Sequence, residues 1–445
     1  MKGPAICLLI LCLFAAISGQ RDDEILATAE GSTFTASMLP DDVRRAFIER
    51  NAAVADERTR LLGEMVRELL IDAEARTANS SAQAVVDAEM RKIPPPTEAE
   101  IGRIYEANRQ VFGGRTLAQV RAQIVYFLRG NAEQESLKEL TDRLKAKHKF
   151  VAGKDPNAVG IKDTEVLFSI AGKPVTLAEF NAKHRALLYD AVASIYVHAA
   201  EHLDEVILSA IINKEARARN ISPSELIAVE VTDKLRDYTD EERIRLESAL
   251  KAKLYEKYAV KILLKQPEPV AHNISADDDP FVGRPDAPVT VIMFSDFQCS
   301  ACAATHPLLK RTLAEFGDKV RFVVKDFPLE GTHENALRAA LAANAASAQG
   351  KFFEFVEILY QNQGSLDETS LKAFASEVGL NIKQFEIDFT NETAAAEIRK
   401  DIADGTRLGV RSTPSIFVNG FRLHRLSADG IRAAVDHALK SRPAK

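Results

Sequence analysis

The 445-residue sequence predicts a mostly α-helical N-terminal half followed by a C-terminal α/β domain. Two observations predict the helical half: Ala, Glu, Leu, Lys and Arg abound while aromatic residues make up only 7%, and part of this half recurs after 141 positions. The α/β domain is predicted by the apolar, β-branched run Val289 to Phe294, which leads through a Cys-x-x-Cys pair into a helical pattern.

The overall composition is that of a soluble globular protein, with 46% hydrophobic and 27% charged residues. The length suggests two to three domains. The formal net charge of -6 provides no basic surface, so nucleic acid is not expected as a partner.

Residues 1–19 are predicted to be a signal peptide, because Lys2 precedes an apolar run from Ala5 to Ile17 and small residues follow that run. The run is shorter than the ~20 residues that span a membrane. We therefore expect cleavage, an exported, periplasmic protein, and no stable membrane insertion of the mature chain.

Cleavage would leave Cys299 and Cys302 as the only cysteines of the mature chain. A disulfide stabilises a fold mainly by closing a long loop, and a loop of two intervening residues restricts the unfolded chain very little. The spacing therefore favours a redox-active pair over a structural disulfide.

The N-terminal half contains an internal duplication. A shift of 141 positions aligns Gly31 with Gly172 and superposes a cluster of identities that begins at Leu62 on one that begins at Leu203. Each copy is expected to start with a short apolar strand and a turn, and to continue in capped helices. The assigned segments are a signal peptide (1–19), helical repeat 1 (21–151), helical repeat 2 (160–265), a Pro-rich and acidic linker (266–280) and the C-terminal domain (281–445).

The two copies loosely resemble the helical N-terminal region of periplasmic chaperone-type peptidyl-prolyl isomerases. The resemblance depends on their openings, Ala-Glu-Gly-Ser-Thr-Phe-Thr and Ala-Gly-Lys-Pro-Val-Thr-Leu, and on Leu-Leu-Ile-Asp-Ala-Glu-Ala with its counterpart. The chain contains no parvulin catalytic domain, so proline isomerisation is not implied. The helical half is either a client-holding or dimerising arm, or a structural spacer, and a homodimer formed through it is left open.

The Cys-x-x-Cys pair lies where the predicted strand meets the helix. Free N–H groups and the helix dipole at this end stabilise a thiolate on Cys299, which makes it the nucleophile. Cys302, one turn into the helix, is expected to be the less accessible thiol that resolves mixed disulfides. A zinc site is the alternative reading of such a pair, but no second pair of ligands follows, so neither metal nor cofactor is predicted.

Three ordered motifs resemble those of DsbA-like thiol–disulfide oxidoreductases: Phe-Ser-Asp-Phe-Gln-Cys-Ser-Ala-Cys, Gln-Gly-Lys-Phe-Phe, and Leu-Gly-Val ahead of Thr-Pro-Ser. The resemblance implies a thioredoxin fold with a helical insertion at about residues 333–408. It implies that Pro414 is cis and faces the cysteines, and that Thr413 offers backbone hydrogen bonds to a client. The active-site environment is assigned to Phe297, Ser300 and Ala301.

One departure from that family concerns the residue six positions before the first cysteine. The family commonly has an acid there, which can take a proton from the second thiol, whereas this chain has Met293. Lys325 is interpreted as a solvated charge at a strand end, and His306 and His333 as ordinary, partly exposed histidines. The Ser-Ala dipeptide between the cysteines predicts a milder oxidant than a relative with His there.

The predicted function is disulfide exchange, with net oxidation, on reduced or misoxidised exported proteins. A separate redox partner, not identifiable from the sequence, would reset Cys299 and Cys302. The alternatives are a disulfide isomerase or reductase, and a holdase chaperone whose thioredoxin domain is not catalytic.

Overall fold

The structure is a computed structural model that describes residues 22–441. The predicted signal peptide lies outside these residues. None of the described helices combines the length and the apolar character needed to cross a membrane.

Within residues 22–441 the chain forms fifteen α-helices. Those of the N-terminal half are α1 (Asp41–Ile48), α2 (Arg50–Ala78), α3 (Ala82–Met90), α4 (Glu98–Ala107), α5 (Leu117–Lys147), α6 (Leu177–Ala218), α7 (Pro223–Glu230) and α8 (Asp240–Lys257). Those of the C-terminal domain are α9 (Ser300–Ala314), α10 (Ala336–Ser347), α11 (Phe352–Gln361), α12 (Glu368–Glu377), α13 (Ile382–Phe389), α14 (Glu392–Arg407) and α15 (Ala428–Lys440).

Three small sheets accompany these helices. The strands of the N-terminal half are β1 (Ile25–Ala29), β2 (Ser32–Thr35), β3 (Val151–Ala152), β4 (Val166–Ile170), β5 (Lys173–Thr176) and β6 (Lys261–Ile262). The strands of the C-terminal domain are β7 (Phe281–Val282), β8 (Val289–Ser295), β9 (Val320–Asp326), β10 (Ser415–Val418) and β11 (Phe421–Arg422).

The chain folds into two compact units, each assembled from two separate segments. The first unit joins the residues up to Arg58 to Leu188–Glu268, and the second joins Thr59–Leu187 to the residues from Pro269 onward. Because α2 and α6 each run from one unit into the other, neither repeat lies wholly within one unit.

In the first unit the β1–β2 hairpin pairs with β6, so the opening strands of repeat 1 are completed by the last strand of repeat 2. Gly31 makes the tight turn with a φ of 72°, a conformation that glycine adopts without steric cost. The hairpin side chain of Phe34 is buried in one core with Leu203 and Leu254, which come from repeat 2. The apolar residues of the two repeats therefore share this core.

The second unit contains the reciprocal arrangement. The β4–β5 hairpin, which opens repeat 2, pairs with β3 at the end of repeat 1. Both hairpins have an irregular register at corresponding positions, between Ile25 and Ala27 and between Val166 and Phe168. The two repeats have thus exchanged their opening hairpins.

The C-terminal domain contains a five-stranded sheet in the order β11-β10-β8-β9-β7, with β8 and β9 parallel and the other pairs antiparallel. Alternate residues of β8 point to opposite faces. One face packs Val291 and Met293 against helices, and the other packs Ile292 and Phe294 in a second cluster. Helices α10 to α14 lie between β9 and β10, which confirms the thioredoxin-like fold with its helical insertion.

Two long helical stretches differ from those that the sequence pattern predicts. The stretch from His333 to about Tyr360 is two helices, separated by a turn in which Gly350 has a φ of 70°. The stretch predicted to run on to Lys265 ends at Lys257 and continues into β6. The first break falls at the polar run Gln349-Gly350-Lys351, whereas apolar residues continue through the second, at Tyr258-Ala259-Val260.

Candidate functional site

The two cysteines lie at the start of α9, directly after the central strand β8. Cys299 is the N-cap residue and Cys302 is in the first turn, as the sequence predicts. Cys299 is 8% exposed and Cys302 is fully buried, and both are free thiols. Only Cys299 is therefore accessible to a substrate.

The environment separates the acidities of the two thiols. A hydrogen bond from Cys302, opposed by burial, and further hydrogen bonds from the N–H groups of Cys302 and Ala301 lower the pKa of Cys299 from 9.0 to about 5. Burial, followed by the hydrogen bond to Cys299, raises the pKa of Cys302. Cys299 is therefore a thiolate at neutral pH, and Cys302 remains protonated.

A loop before β10 faces the cysteines. Because β10 pairs with β8, with Ser415 opposite Phe294, residues just before Ser415 are brought beside the active-site turn. The carbonyl oxygen of Thr413 lies 3.4 Å from Cys299 Sγ, and the Thr413–Pro414 bond is cis. The bond before Pro414 is thus cis, as the resemblance implies, and the Thr413 backbone lies beside Cys299.

Sequence reasoning missed Gln363, which follows α11. Its Nε2 donates hydrogen bonds to the carbonyl oxygens of Phe297 at 3.0 Å and Cys299 at 2.9 Å. The Phe297 ring packs on Phe352 and Tyr360. These contacts fix the turn that carries Cys299. No sequence signal indicates this role, because Gln363 is remote from the cysteines in sequence and lies in no recognisable motif.

Asp296 is a buried carboxylate in the same turn. Its oxygens accept hydrogen bonds from the backbone N–H groups of Gln298 and Leu329 and contact His333 Nδ1 at 2.8 Å. The loop after β9 is thereby attached to the active-site turn. His333 is partly exposed, as predicted, but it has this defined partner.

The interpretation of Lys325 as a solvated strand-end charge is wrong. Its side chain is fully buried, and Nζ lies within 3.0 Å of carboxylate oxygens of Asp277, Asp279 and Asp401. Although Lys325 is near the end of β9, it pairs with Phe294 of the central strand of the sheet, and these carboxylates surround its ammonium group. The cation joins the segment before β7 to α14 across that sheet.

His306 is also not the partly exposed residue that the sequence suggested. It is 3% exposed, and its ring packs against Phe322 and Tyr360. Burial lowers its pKa to about 4, so the ring is neutral at neutral pH. It belongs to the apolar surroundings of α9.

The region directly beneath Cys302 contains several polar groups. Ser295 hydrogen-bonds the Cys302 sulfur, and its hydroxyl oxygen lies 2.5 Å from that of Tyr360. Asp326 lies opposite Ser295 in the parallel ladder. Met293 is fully buried and contributes no polar atom at the position of the usual acid.

One helix of repeat 1 reaches the loop beside the active site. A Cβ atom at Gly331 would lie 2.5 Å from the ring of Tyr126 on α5. Tyr126 and Phe127 are each about half exposed. The half-exposed Tyr126 therefore lies beside the loop that bonds Asp296 through Leu329.

In residues 22–441, no group of three or more His, Cys, Asp or Glu side chains is arranged to hold a metal ion.

Residues 275–437 match the model of a protein family described as Thioredoxin. The curated relatives include a Na(+)/H(+) antiporter NhaA 1 of Mycolicibacterium gilvum, 34% identical over 168 residues, which are 36% of this chain and 27% of that protein. Another, from Salinispora arenicola, is 33% identical over 167 residues, or 37% of this chain and 26% of that protein. The chain spans about a quarter of the length of these relatives.

Similar solved structures include a thioredoxin-like oxidoreductase from Silicibacter pomeroyi, 30% identical with a TM-score of 0.35, covering 37% of this chain and 95% of that one. Oxidised BdbD from Bacillus subtilis is 24% identical with a TM-score of 0.35, covering 39% and 100%. The catalytic domain of ScsC from Proteus mirabilis is 21% identical with a TM-score of 0.33, covering 38% and 93%.

Proposed function

We propose that the chain is an exported thiol–disulfide oxidoreductase that oxidises client proteins, and that its C-terminal domain is of the DsbA-like thioredoxin superfamily. The observation that carries the proposal is the pairing of an ionised, slightly exposed Cys299 with a buried, protonated Cys302. Thiol exchange requires such an ionised group and a second thiol within reach.

The low pKa of Cys299 favours oxidation as the net direction. In the oxidised protein a client thiolate attacks the Cys299 sulfur, and Cys302 is released. A second client thiol then attacks the client sulfur of this mixed disulfide, and Cys299 leaves as a thiolate. A thiol of low pKa leaves faster, and a pKa of about 5 stabilises the reduced form of the protein at neutral pH.

Client binding is proposed at the loop of Thr413 and Pro414. The Thr413 backbone lies beside Cys299, so an extended client segment bonded to it would present its cysteine to the nucleophile. The half-exposed Tyr126, which lies beside Gly331 in the loop after β9, offers a second contact, and the neighbouring Phe127 adds exposed apolar surface. We assign the helical half the role of holding unfolded clients at this place.

Export to the periplasm is part of the proposal. It is supported by the predicted signal peptide, and one similar solved structure is titled a periplasmic thioredoxin-like protein of Salmonella enterica. Mass spectrometry of the protein from a periplasmic fraction should show a chain that begins near residue 20. A full-length chain retained in the cytoplasm would contradict export.

The function is tested by oxidation of a reduced, unfolded client with the wild type and with Cys299→Ser and Cys302→Ser. We expect Cys299→Ser to be inactive and Cys302→Ser to accumulate mixed disulfides, because the resolving step is lost. Reshuffling of a misoxidised client by the reduced protein alone would favour an isomerase. Undiminished protection from aggregation by Cys299→Ser, with no oxidation by the wild type, would favour a holdase.

A further inference from the structure

Oxidation of a client releases Cys302 as a buried thiolate, and that thiolate needs a proton. The Cys302 side chain is fully buried, and burial raises its pKa, so its anion is unstable where it forms. Met293 cannot supply the proton. The polar groups on the same face of the sheet as Met293 are the candidates for another route.

Ser295 is the first group of this route. It hydrogen-bonds Cys302, and its oxygen is 2.5 Å from the oxygen of Tyr360 on α11. Ser295 and Met293 are two positions apart on β8, so their side chains point to the same face of the sheet. Ser295 and its partner Tyr360 therefore lie on the face of β8 on which a buried acid at position 293 would also lie.

Asp326 is the carboxyl group on that face. It lies opposite Ser295 on the neighbouring parallel strand, and Asn344 of α10 donates to its Oδ2 at 2.5 Å. Its Oδ1 is buried and has no hydrogen-bond partner among the described residues. An unpaired buried carboxyl oxygen is costly in a purely structural role.

We infer that Asp326, through the hydroxyl groups of Ser295 and Tyr360, is the proton donor and acceptor for Cys302. The inference deepens the proposed function and rests on it. When a client thiolate attacks Cys299, the Cys299–Cys302 bond breaks and protonated Asp326 delivers its proton to the Cys302 thiolate. When Cys302 attacks a mixed disulfide, the proton moves from the thiol to the Asp326 carboxylate and the leaving thiolate departs.

The charges around Asp326 suit this exchange. Burial and the repulsion of Asp401 raise its pKa to about 8, against the hydrogen bond from Asn344 and the charge of Lys325. Asp296 also faces it and raises the pKa further, while Asp401 Oδ2 accepts the Asp326 backbone N–H at 2.9 Å. A carboxyl group near pKa 8 gives and takes a proton near neutral pH.

His306 is the remaining titratable group near Tyr360. Its pKa is lowered to about 4, and its Nε2 has no hydrogen-bond partner among the described residues. A relay through His306 would show an inflection near pH 4, and a relay through Asp326 would show one near pH 8. Of the two relays, only the one through Asp326 therefore gives an inflection between pH 6 and 10.

The test follows the reduced full-length protein as it reacts with 5,5′-dithiobis(2-nitrobenzoate) between pH 6 and 10. The first thionitrobenzoate released reports attack by Cys299, and the second reports attack by Cys302 on the mixed disulfide. In the wild type we expect the second step to have an inflection near pH 8. In Asp326→Asn that inflection should disappear, and the second step should slow about 10²-fold at pH 7. The rate of the first step should change less than about twofold, because Cys299 is ionised without Asp326.

Asp318→Asn is the matched control, because Asp318 is exposed just before the other end of β9. A second step at the wild-type rate in Asp326→Asn would overturn the inference. Equal slowing of both steps would also overturn it, because it would show that Asp326 has a structural role in the site. If Asp326→Asn does not fold, Tyr360→Phe decides: loss of the inflection supports the relay, and its retention refutes it. Failure of the wild type to oxidise protein clients would instead remove the proposed function and leave the two-step result standing.

Discussion

Cys299 and Cys302 show how far a fold separates two chemically identical side chains. They are three positions apart, yet one has a pKa lowered to about 5 and the other a pKa raised by burial. The helix end, the Thr413 loop and the difference in exposure produce this separation together. The sequence predicted the order of the two roles from position alone, because the first cysteine of such a pair occupies the free end of the helix.

The first prediction concerns alkylation of the reduced protein. The rate of modification of Cys299 by iodoacetamide should follow its thiolate fraction, with an inflection near pH 5, while Cys302 stays unmodified. Mass spectrometry locates the label, and Cys299→Ser serves as the control that should take up almost none. An inflection near pH 9 would show that the helix end does not stabilise the thiolate.

A second prediction at the residue scale concerns Gln363. Replacement by Ala leaves the carbonyl oxygens of Phe297 and Cys299 without their donor, and an unsatisfied buried acceptor costs about 1–3 kcal/mol. We expect a lower midpoint of urea unfolding and a slower reaction of Cys299. Gln361→Ala is the matched control, since Gln361 is exposed at the end of α11. Equal stability of the two variants would show that Gln363 does not hold the turn.

Among the elements, α6 and α8 are joined by a buried carboxylate, Glu215. Glu215 is bonded by Lys257, Tyr258 and Arg219. The Lys257 hydrogen bond, the largest cause, lowers the pKa of Glu215 to about 2 against the cost of burial. A carboxylate of lowered pKa stabilises the fold above its unfolded pKa and loses that contribution as the pH falls through the folded value.

The third prediction follows from the downward shift of the Glu215 pKa. The first unit should be fully stabilised by Glu215 above about pH 4.5 and should lose that stability as the pH falls towards 2. Urea unfolding followed by tyrosine fluorescence measures it, because the chain has no Trp. Glu215→Gln should be less stable at pH 7 and should flatten the acid decline, whereas the exposed Glu247→Gln should behave as the wild type. A wild-type decline retained in Glu215→Gln would contradict the assignment.

Elements that are specified by residues contiguous in sequence were predictable. Features that depend on contacts between residues far apart in sequence were not. Strand β8, the cysteine turn and the cis proline loop follow from runs of residues that are contiguous in sequence. The burial of Lys325 depends on Asp277 and Asp401, which are 48 and 76 positions away. The importance of Ser295 depends on Tyr360, 65 positions away. No periodicity or motif connects such residues.

At the scale of the whole molecule, the duplication was visible in the sequence but its consequence was not. The opening hairpins of the two repeats have the same lengths and the same irregular register. Either hairpin could therefore be completed by the final strand of either repeat. The sequence pattern does not specify which final strand completes which hairpin. The exchange is shown by the observed pairs β1–β6 and β3–β4.

The last prediction separates the redox chemistry from the helical half. The linker assigned to residues 266–280 contributes contacts to the C-terminal domain: His272 N–H bonds the Gly420 carbonyl at 2.8 Å, and Asp277 pairs with Lys325. A fragment should therefore begin at Pro269, and one beginning at Asp279 should be less stable because it leaves part of the charge on Lys325 unpaired.

The Pro269 fragment should oxidise a small dithiol at nearly the wild-type rate, because the hydrogen bonds that stabilise the Cys299 thiolate come from within the C-terminal domain. It should lose activity on a large unfolded client, since holding a client beside Cys299 raises its effective concentration, with gains of ~10²-fold for linked sites.

In the full chain, replacing Tyr126 and Phe127 by Ser should reproduce part of that selective loss. Val159→Ser, at a fully exposed apolar residue, is the control. Equal losses on both substrates would indicate a damaged domain, and no loss on either would make the helical half a spacer or a dimerisation arm.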